Sequence, residues 1–304
     1  MGAEPDPQIA VSSVAGAIPL VAPLKDVDLA FLQAGPEEGR PLLLVHGFTA
    51  AKEDFADHLE VFGRLGWRAV APDLRGHGGS SKPAGEGAYS LRRLATDLLE
   101  LADWLGWDRF TLLGHSMGGM VAQHVALSAD ERLDALVLMD TSHGALGEHV
   151  PPELVALAKH VVEDGGMAAY LAVSKTVDDP LSTPAYRRVV AERPGHEAYG
   201  DAKVLASSPA MWLGMIDELV SPEDDRLAVL AAALAGIPVL VIVGEQDTTF
   251  LGHAERMAAA FGDTARLVVV PDAGHSPQFE NPRAWFDTVS DFLSNCFCPV
   301  ERGT

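Results

Sequence analysis

The chain has 304 residues, enough for one large α/β domain with a full core. A hydrophobic share of 48% excludes a chain disordered throughout, and a formal charge of -21 argues against nucleic acid as a partner, because phosphate binding needs concentrated Lys and Arg. The only cysteines, Cys296 and Cys298, sit together near the C-terminus, so no disulfide framework holds the fold, and a C-x-C pair without nearby ligands makes a poor metal site. No metal or cofactor is expected.

Met1 to Gln8 is acidic and Pro-rich and lacks the basic start of a secretory signal. The apolar stretch Leu227 to Val243 is split by Gly236 and Pro238 into a short Ala/Leu helix and a β-branched strand, so no membrane span is expected. These features predict a cytoplasmic protein, monomer or homodimer.

Two segments near Ile18 to Leu24 and Asp28 to Gln33 read as an antiparallel lead-in pair. Six apolar runs then read as strands: Pro41 to Val45, Arg68 to Ala71, Phe110 to Leu113, Leu133 to Met139, Pro238 to Val243 and Arg266 to Val270. Most are apolar on both faces, as parallel strands covered on both sides should be. Helical patterns fall between them at Lys52 to Leu65, Leu91 to Leu105, Gly118 to Ser128, His253 to Phe261 and Pro282 to Ser294. Ser90 and Asn281 are placed to cap two of these, Asn281 with proline in the first turn behind it. Such alternation predicts an open, mainly parallel sheet with right-handed crossovers.

The alternation stops between about Thr141 and Asp225. Helical stretches at Pro151 to Asp164, Gly166 to Ser174, Pro184 to Ala191 and Ala210 to Leu219 predict a helical insertion over one face of the sheet. Ser221-Pro222-Glu223-Asp224 then starts the helix that returns the chain to the sheet.

The strongest motif is Gly114-His115-Ser116-Met117-Gly118, directly after one strand and before a helix. A serine projected from a tight turn needs glycine on both sides, where a Cβ would strike backbone. Its hydroxyl is a poor nucleophile until a base takes the proton. His275, in Pro271-Asp272-Ala273-Gly274-His275 beyond the last strand, is the candidate base. Two carboxylates end strands and could hold that histidine: Asp247, which keeps the chain order Ser, Asp, His, and Asp140; Glu245 is a third. For a developing oxyanion the candidate donors are the backbone N–H groups of Met117 and of Phe48, the latter in His46-Gly47-Phe48-Thr49.

Together with Pro72-Asp73-Leu74-Arg75-Gly76-His77-Gly78 and Gly244-Glu245-Gln246-Asp247, these motifs resemble the α/β-hydrolase superfamily. The similarity is to the branch of 3-oxoadipate enol-lactonases, small esterases, perhydrolases and carbon–carbon bond hydrolases. The resemblance implies a mostly parallel eight-stranded sheet with helices on both faces, a core of residues 1–141 and 226–304, and a helical cap of residues 142–225 above the active site. In that family the Pro72 to Gly78 run braces a loop and does no chemistry. Haloalkane dehalogenases and epoxide hydrolases carry aspartate where Ser116 stands, and perhydrolases carry tryptophan in place of Phe48.

The expected function is therefore hydrolysis of a small-molecule ester or lactone through an acyl-enzyme. A carbon–carbon bond hydrolase is the alternative and would want a cap arginine, such as Arg187, Arg188 or Arg193, for a substrate carboxylate. A ligand-binding receptor with a slow triad is a third reading. Met167, Tyr170, Met211, Trp212 and Met215 are candidates for the substrate pocket; Met211, Trp212 and Met215 are spaced to share a helical face.

Overall fold

A computed structural model of the chain describes residues 16–144, 146, 150–177, 179–220 and 226–297. The leader reading of Met1 to Gln8, the helix start at Ser221 to Asp224 and Cys298 lie outside the described residues. Cys296 is a half-buried free thiol, pushed up to about 11 by burial.

Eight strands form one sheet: β1 (Ile18–Pro23), β2 (Asp28–Ala34), β3 (Arg40–Val45), β4 (Trp67–Pro72), β5 (Phe110–His115), β6 (Leu133–Met139), β7 (Val239–Gly244) and β8 (Ala265–Val270). Their spatial order is β1-β2-β4-β3-β5-β6-β7-β8. The pairs β1–β2 and β2–β4 are antiparallel, and every pair from β4 through β8 is parallel.

Alternating side chains of the central strands enter two cores. Leu42, Leu44, Val137, Met139, Leu240 and Ile242 pack on one face with α1 (Ala56–Arg64) and α11 (Pro282–Phe297). Their neighbours Leu43, Val45, Leu136, Leu138, Val239 and Val241 pack on the other. That second face is covered by α2 (Leu91–Trp104), α3 (Met117–Ala129), α8 (Leu227–Ala233) and α9 (Thr248–Phe261). A strand sandwiched between two helical layers has no polar face to alternate with, which explains the continuous apolar runs. Each such Leu, Val or Ile contributes about 1.5–3 kcal/mol of transfer free energy.

A short helix, α10 (Pro277–Glu280), follows β8, and four more helices stand between β6 and β7: α4 (Pro152–Ser174), α5 (Pro184–Glu192), α6 (His196–Leu205) and α7 (Pro209–Val220). Gly166, at φ +65° and ψ −162°, breaks α4 into the two helical stretches expected on either side of it. Helix α6 had no sequence signal because none of its residues is fully buried, and without a buried stripe there is no apolar period to read. No helix among the described residues is long and apolar enough to cross a membrane.

Boundaries shift where tertiary contacts overrule local pattern. The helix expected from Lys52 opens instead as a 3-10 turn, Lys52–Phe55, because Asp73 takes both the Lys52 N–H (2.8 Å) and its ammonium (2.7 Å). Helix α9 begins at Thr248 rather than His253, directly behind Asp247. Ser90 caps α2 as expected, its hydroxyl accepting from Arg93 N at 3.0 Å.

The loop after β4 is held from within. Arg75, 3% exposed, forks onto Asp97 of α2, with one contact at 2.6 Å, and also donates to Ala88 O. Burial raises Asp97 above its ordinary value despite the guanidinium beside it. Arg75→Met would leave that buried carboxylate with only Arg93, 3.7 Å away, so the variant should lose up to about 3–5 kcal/mol at neutral pH. An acid raised in the folded state stabilises it below the unfolded value and loses that as pH rises. Urea unfolding should therefore show a smaller loss in acid; an equal loss at both pH values would refute this account of the loop.

Candidate active site

The turn between β5 and α3 sets the geometry. A Cβ on Gly114 would lie 2.3 Å from Gly118 O, and one on Gly118 would lie 2.4 Å from Val45 O and 2.5 Å from His46 O. With both glycines in place, β5 runs into α3 through a single residue. That residue is Ser116, at φ +53° and ψ −120°, a conformation that costs a non-glycine residue about 1–3 kcal/mol. Its N–H donates to Met139 O at 2.9 Å, pinning the turn to the end of β6.

Ser116 Oγ lies 3.0 Å from His275 Nε2, and His275 Nδ1 lies 2.7 Å from Asp247 Oδ2. Facing a carboxylate, Nδ1 carries the proton and donates it, which leaves Nε2 as acceptor for the serine hydroxyl. The structure thus brings together the three side chains expected from sequence. Asp247 is 2% exposed and the His275 side chain 13%, so the carboxylate is sealed while the base and Ser116 remain reachable.

The loop after β3 closes on the same serine. A Cβ on Gly47 would sit 3.1 Å from Ser116 Cβ, so Phe48 follows directly beside the nucleophile. His46 fixes this loop: its Nε2 accepts from Leu74 N at 3.0 Å, so its Nδ1–H donates to Gly47 O at 2.8 Å. Burial keeps that ring neutral, lowering it below its ordinary value. Met117 begins α3, where the helix N-terminus favours negative charge.

Sequence reasoning missed the groups that hold His275. His115, inside the motif, donates its Nε2–H to His275 O at 2.7 Å; burial, then the charge of His275, push it down to about 3. Glu280 accepts from Gly274 N and from Ser276 N (3.3 Å), bracketing the histidine's backbone. Phe250 stacks on the imidazole with centroids 4.8 Å apart. The only hint was position, since His115 occupies the variable site of the motif and Glu280 lies five residues past His275.

The five cap candidates separate. Met167, Tyr170 and Trp212 gather with Phe48, the Phe48 and Trp212 rings 6.1 Å apart and the Tyr170 and Trp212 rings 4.9 Å apart. Met211 and Met215 instead join the main core, Met211 so close to Gly76 that a Cβ there would lie 2.5 Å from it. The three share a face of roughly 100°, but Met211 and Met215 lie one above the other on the main core while Trp212, at the edge of that face, packs with Phe48.

Of the cap arginines, Arg188 donates to Asp272 O (2.9 Å) and Glu280 O (2.7 Å), Arg187 to Ser182 O, and Arg193 pairs with Asp57. Lys203 of α6 is held by Asp54 at 2.6 Å. Asp140, Asp247 and His275 place one donor atom each within 4.8 Å of one another, a spacing that a cation could use. His275 and Asp247 already spend one atom each on their own hydrogen bond.

The family model described as Alpha/beta hydrolase family matches residues 42–288. A Bacillus subtilis (strain 168) protein assigned as 2-succinyl-6-hydroxy-2,4-cyclohexadiene-1-carboxylate synthase is 29% identical, over 88% of this chain and 96% of its own. Epoxide hydrolase A of Mycobacterium tuberculosis is 27% identical over 88% of this chain and 94% of its own. Among solved structures, the enol-lactonase from Burkholderia xenovorans LB400 superposes with a TM-score of 0.76 at 24% identity, covering 90% of this chain and all (100%) of that one. A thermophilic esterase from Thermogutta terrifontis gives 0.72 at 26%, covering 93% and 100%.

Gly118→Ala tests the turn. Its methyl would meet two backbone carbonyls that cannot rotate away, so the variant should lose about 1–3 kcal/mol or more in thermal unfolding. Unchanged stability would mean that β3 and α3 do not approach as described.

Proposed function

Because this chain belongs to the alpha/beta hydrolase family and is thereby a hydrolase, we propose that it cleaves a carboxylic ester or lactone through an acyl-enzyme on Ser116. The observation that carries this reading is the unbroken run Ser116 Oγ, His275 Nε2, His275 Nδ1, Asp247 Oδ2 at 3.0 and 2.7 Å. In the proposed cycle His275 takes the serine proton as Oγ attacks the carbonyl carbon. Asp247 stabilises the imidazolium, and His275 then gives the proton to the leaving alkoxide. The Phe48 and Met117 N–H groups serve as oxyanion donors. Water, deprotonated by His275, attacks the acyl-enzyme, and the acid leaves with Ser116 restored.

Residues 142–225 act as the cap in this reading. Phe48 and Tyr170 stay partly exposed against the buried Met167 and Trp212, an apolar, aromatic cluster that suits an uncharged acyl or alkyl group. Substrates that carry a carboxylate, including those of carbon–carbon bond hydrolases, are disfavoured because Arg187, Arg188, Arg193 and Lys203 are engaged elsewhere. An epoxide route is disfavoured by chemistry: opening the ring with serine would leave an ether, which has no carbonyl for water to attack, whereas a carboxylate nucleophile would leave an ester.

Hydrolysis of p-nitrophenyl acetate, butyrate and octanoate tests the proposal. Ser116→Ala should lower kcat by about 10³-fold or more, and Asp247→Asn by on the order of 10³ to 10⁴. The preferred chain length then sizes the pocket. Absence of turnover with every ester would sink the esterase reading and favour ligand binding.

A further inference from the structure

Beside the Ser116–His275–Asp247 run lies a buried acid that the cycle above does not use. Asp140 directly follows β6, at φ +44°, and is 1% exposed. Its N–H donates to Ile242 O at 2.9 Å, and its Oδ1 accepts from Gly244 N at 2.8 Å. Its Oδ2 is buried and has no hydrogen-bond partner among the described residues. Asp247 shows the same division: Oδ2 accepts from His275 Nδ1–H, and Oδ1 is buried without a partner among the described residues. One donor atom from each of Asp140, Asp247 and His275 falls within 4.8 Å of the others, so the two buried carboxylates, each with one unpartnered oxygen, lie close together.

Two ionised carboxylates so placed would repel in a medium that screens them poorly, and each would forfeit a hydrogen bond. One proton removes both penalties. Resting on the triad reading above, we propose that Asp140 is a protonated carboxylic acid whose O–H donates to Asp247 Oδ1 and positions that carboxylate for His275. The proton belongs on Asp140 because of what faces each acid. Asp247 looks onto His275, whose ring becomes a cation during turnover. Asp140 meets one neutral N–H and the carboxylates of Asp247 and Glu280. Burial, then the charge of Asp247, push Asp140 well above the ordinary carboxylate range. With both oxygens held, by His275 on one side and Asp140 on the other, the Asp247 carboxylate cannot rotate out of line.

Asp140→Asn and Asp140→Leu separate the donor from the charge. An asparagine amide can donate to Asp247 while its oxygen keeps the Gly244 N–H; leucine can do neither. With p-nitrophenyl butyrate, Asp140→Asn should retain kcat within about threefold of wild type, a rescue by the conservative variant. Asp140→Leu should lose on the order of 10- to 100-fold in kcat with KM little changed. A second readout needs no activity. The folded state holds a proton on Asp140 above the ordinary value of 3.8, and the unfolded chain releases it. Stability from this group is therefore full below that value and falls as pH rises. The melting temperature of wild type should lose ground to Asp140→Asn from acid towards neutral pH.

Three results would overturn the proposal: Asp140→Asn as inactive as Asp140→Leu, a melting-temperature difference independent of pH, or activity lost to a chelator and restored by a divalent cation. Should no ester be cleaved, the serine hydrolase reading fails, while the melting series still decides where the proton sits.

Discussion

At Gly118 the backbone of α3 comes so near the end of β3 that a methyl group would lie 2.4 Å from Val45 O. Everything proposed for the site depends on that approach. It carries the N-terminus of α3 under the loop after β3, so that Met117 and Phe48 flank the same side chain. It also forces the turn from β5 into one residue, and Ser116 takes the positive φ that lifts its oxygen off the sheet. Larger residues at Gly114 or Gly118 would push the helix away and separate these groups together.

The parallel sheet does the rest by gathering loops at one edge. Ser116 follows β5, Asp140 follows β6, Asp247 follows β7 and His275 follows β8, so residues up to 159 positions apart meet without a long arm. Loops are soft, and each is stiffened by polar groups that take no part in the chemistry. His46 ties the loop after β3 to Leu74, Arg75 anchors the loop after β4 to Asp97, and His115 and Glu280 hold the backbone around His275. Burial keeps His46 and His115 neutral, so they serve as directed donors and not as charges.

Much of this was legible in the sequence because it is written in local chemistry. Doubly buried strands give continuous apolar runs, and six of the eight strands lie where those runs fall, with β1 and β2 in the lead-in segments before them. Glycine on both sides of Ser116 announces the turn, and the loops after the last two strands offer Asp247 and His275 in chain order. What escaped depends on neighbours far away in sequence. Helix α6 buries no full stripe, and Glu280 acts through backbone N–H groups that have no sequence signature. The division of Met211 and Met215 from Trp212 needed the docking of α7 onto Gly76. Asp140 was legible as an acid at a strand end; only the folded chain shows that Asp247 holds His275 while Asp140 binds the Gly244 N–H beside it.

The central claim is that Ser116 Oγ becomes covalently bonded to the substrate's acyl carbon. Reaction with an alkyl fluorophosphonate, followed by mass spectrometry of the digested protein, tests it most directly. The account predicts a single adduct on the peptide carrying Ser116, absent from Ser116→Ala and strongly slowed in His275→Gln. Label on another residue, or an unlabelled protein that still hydrolyses esters, would contradict it.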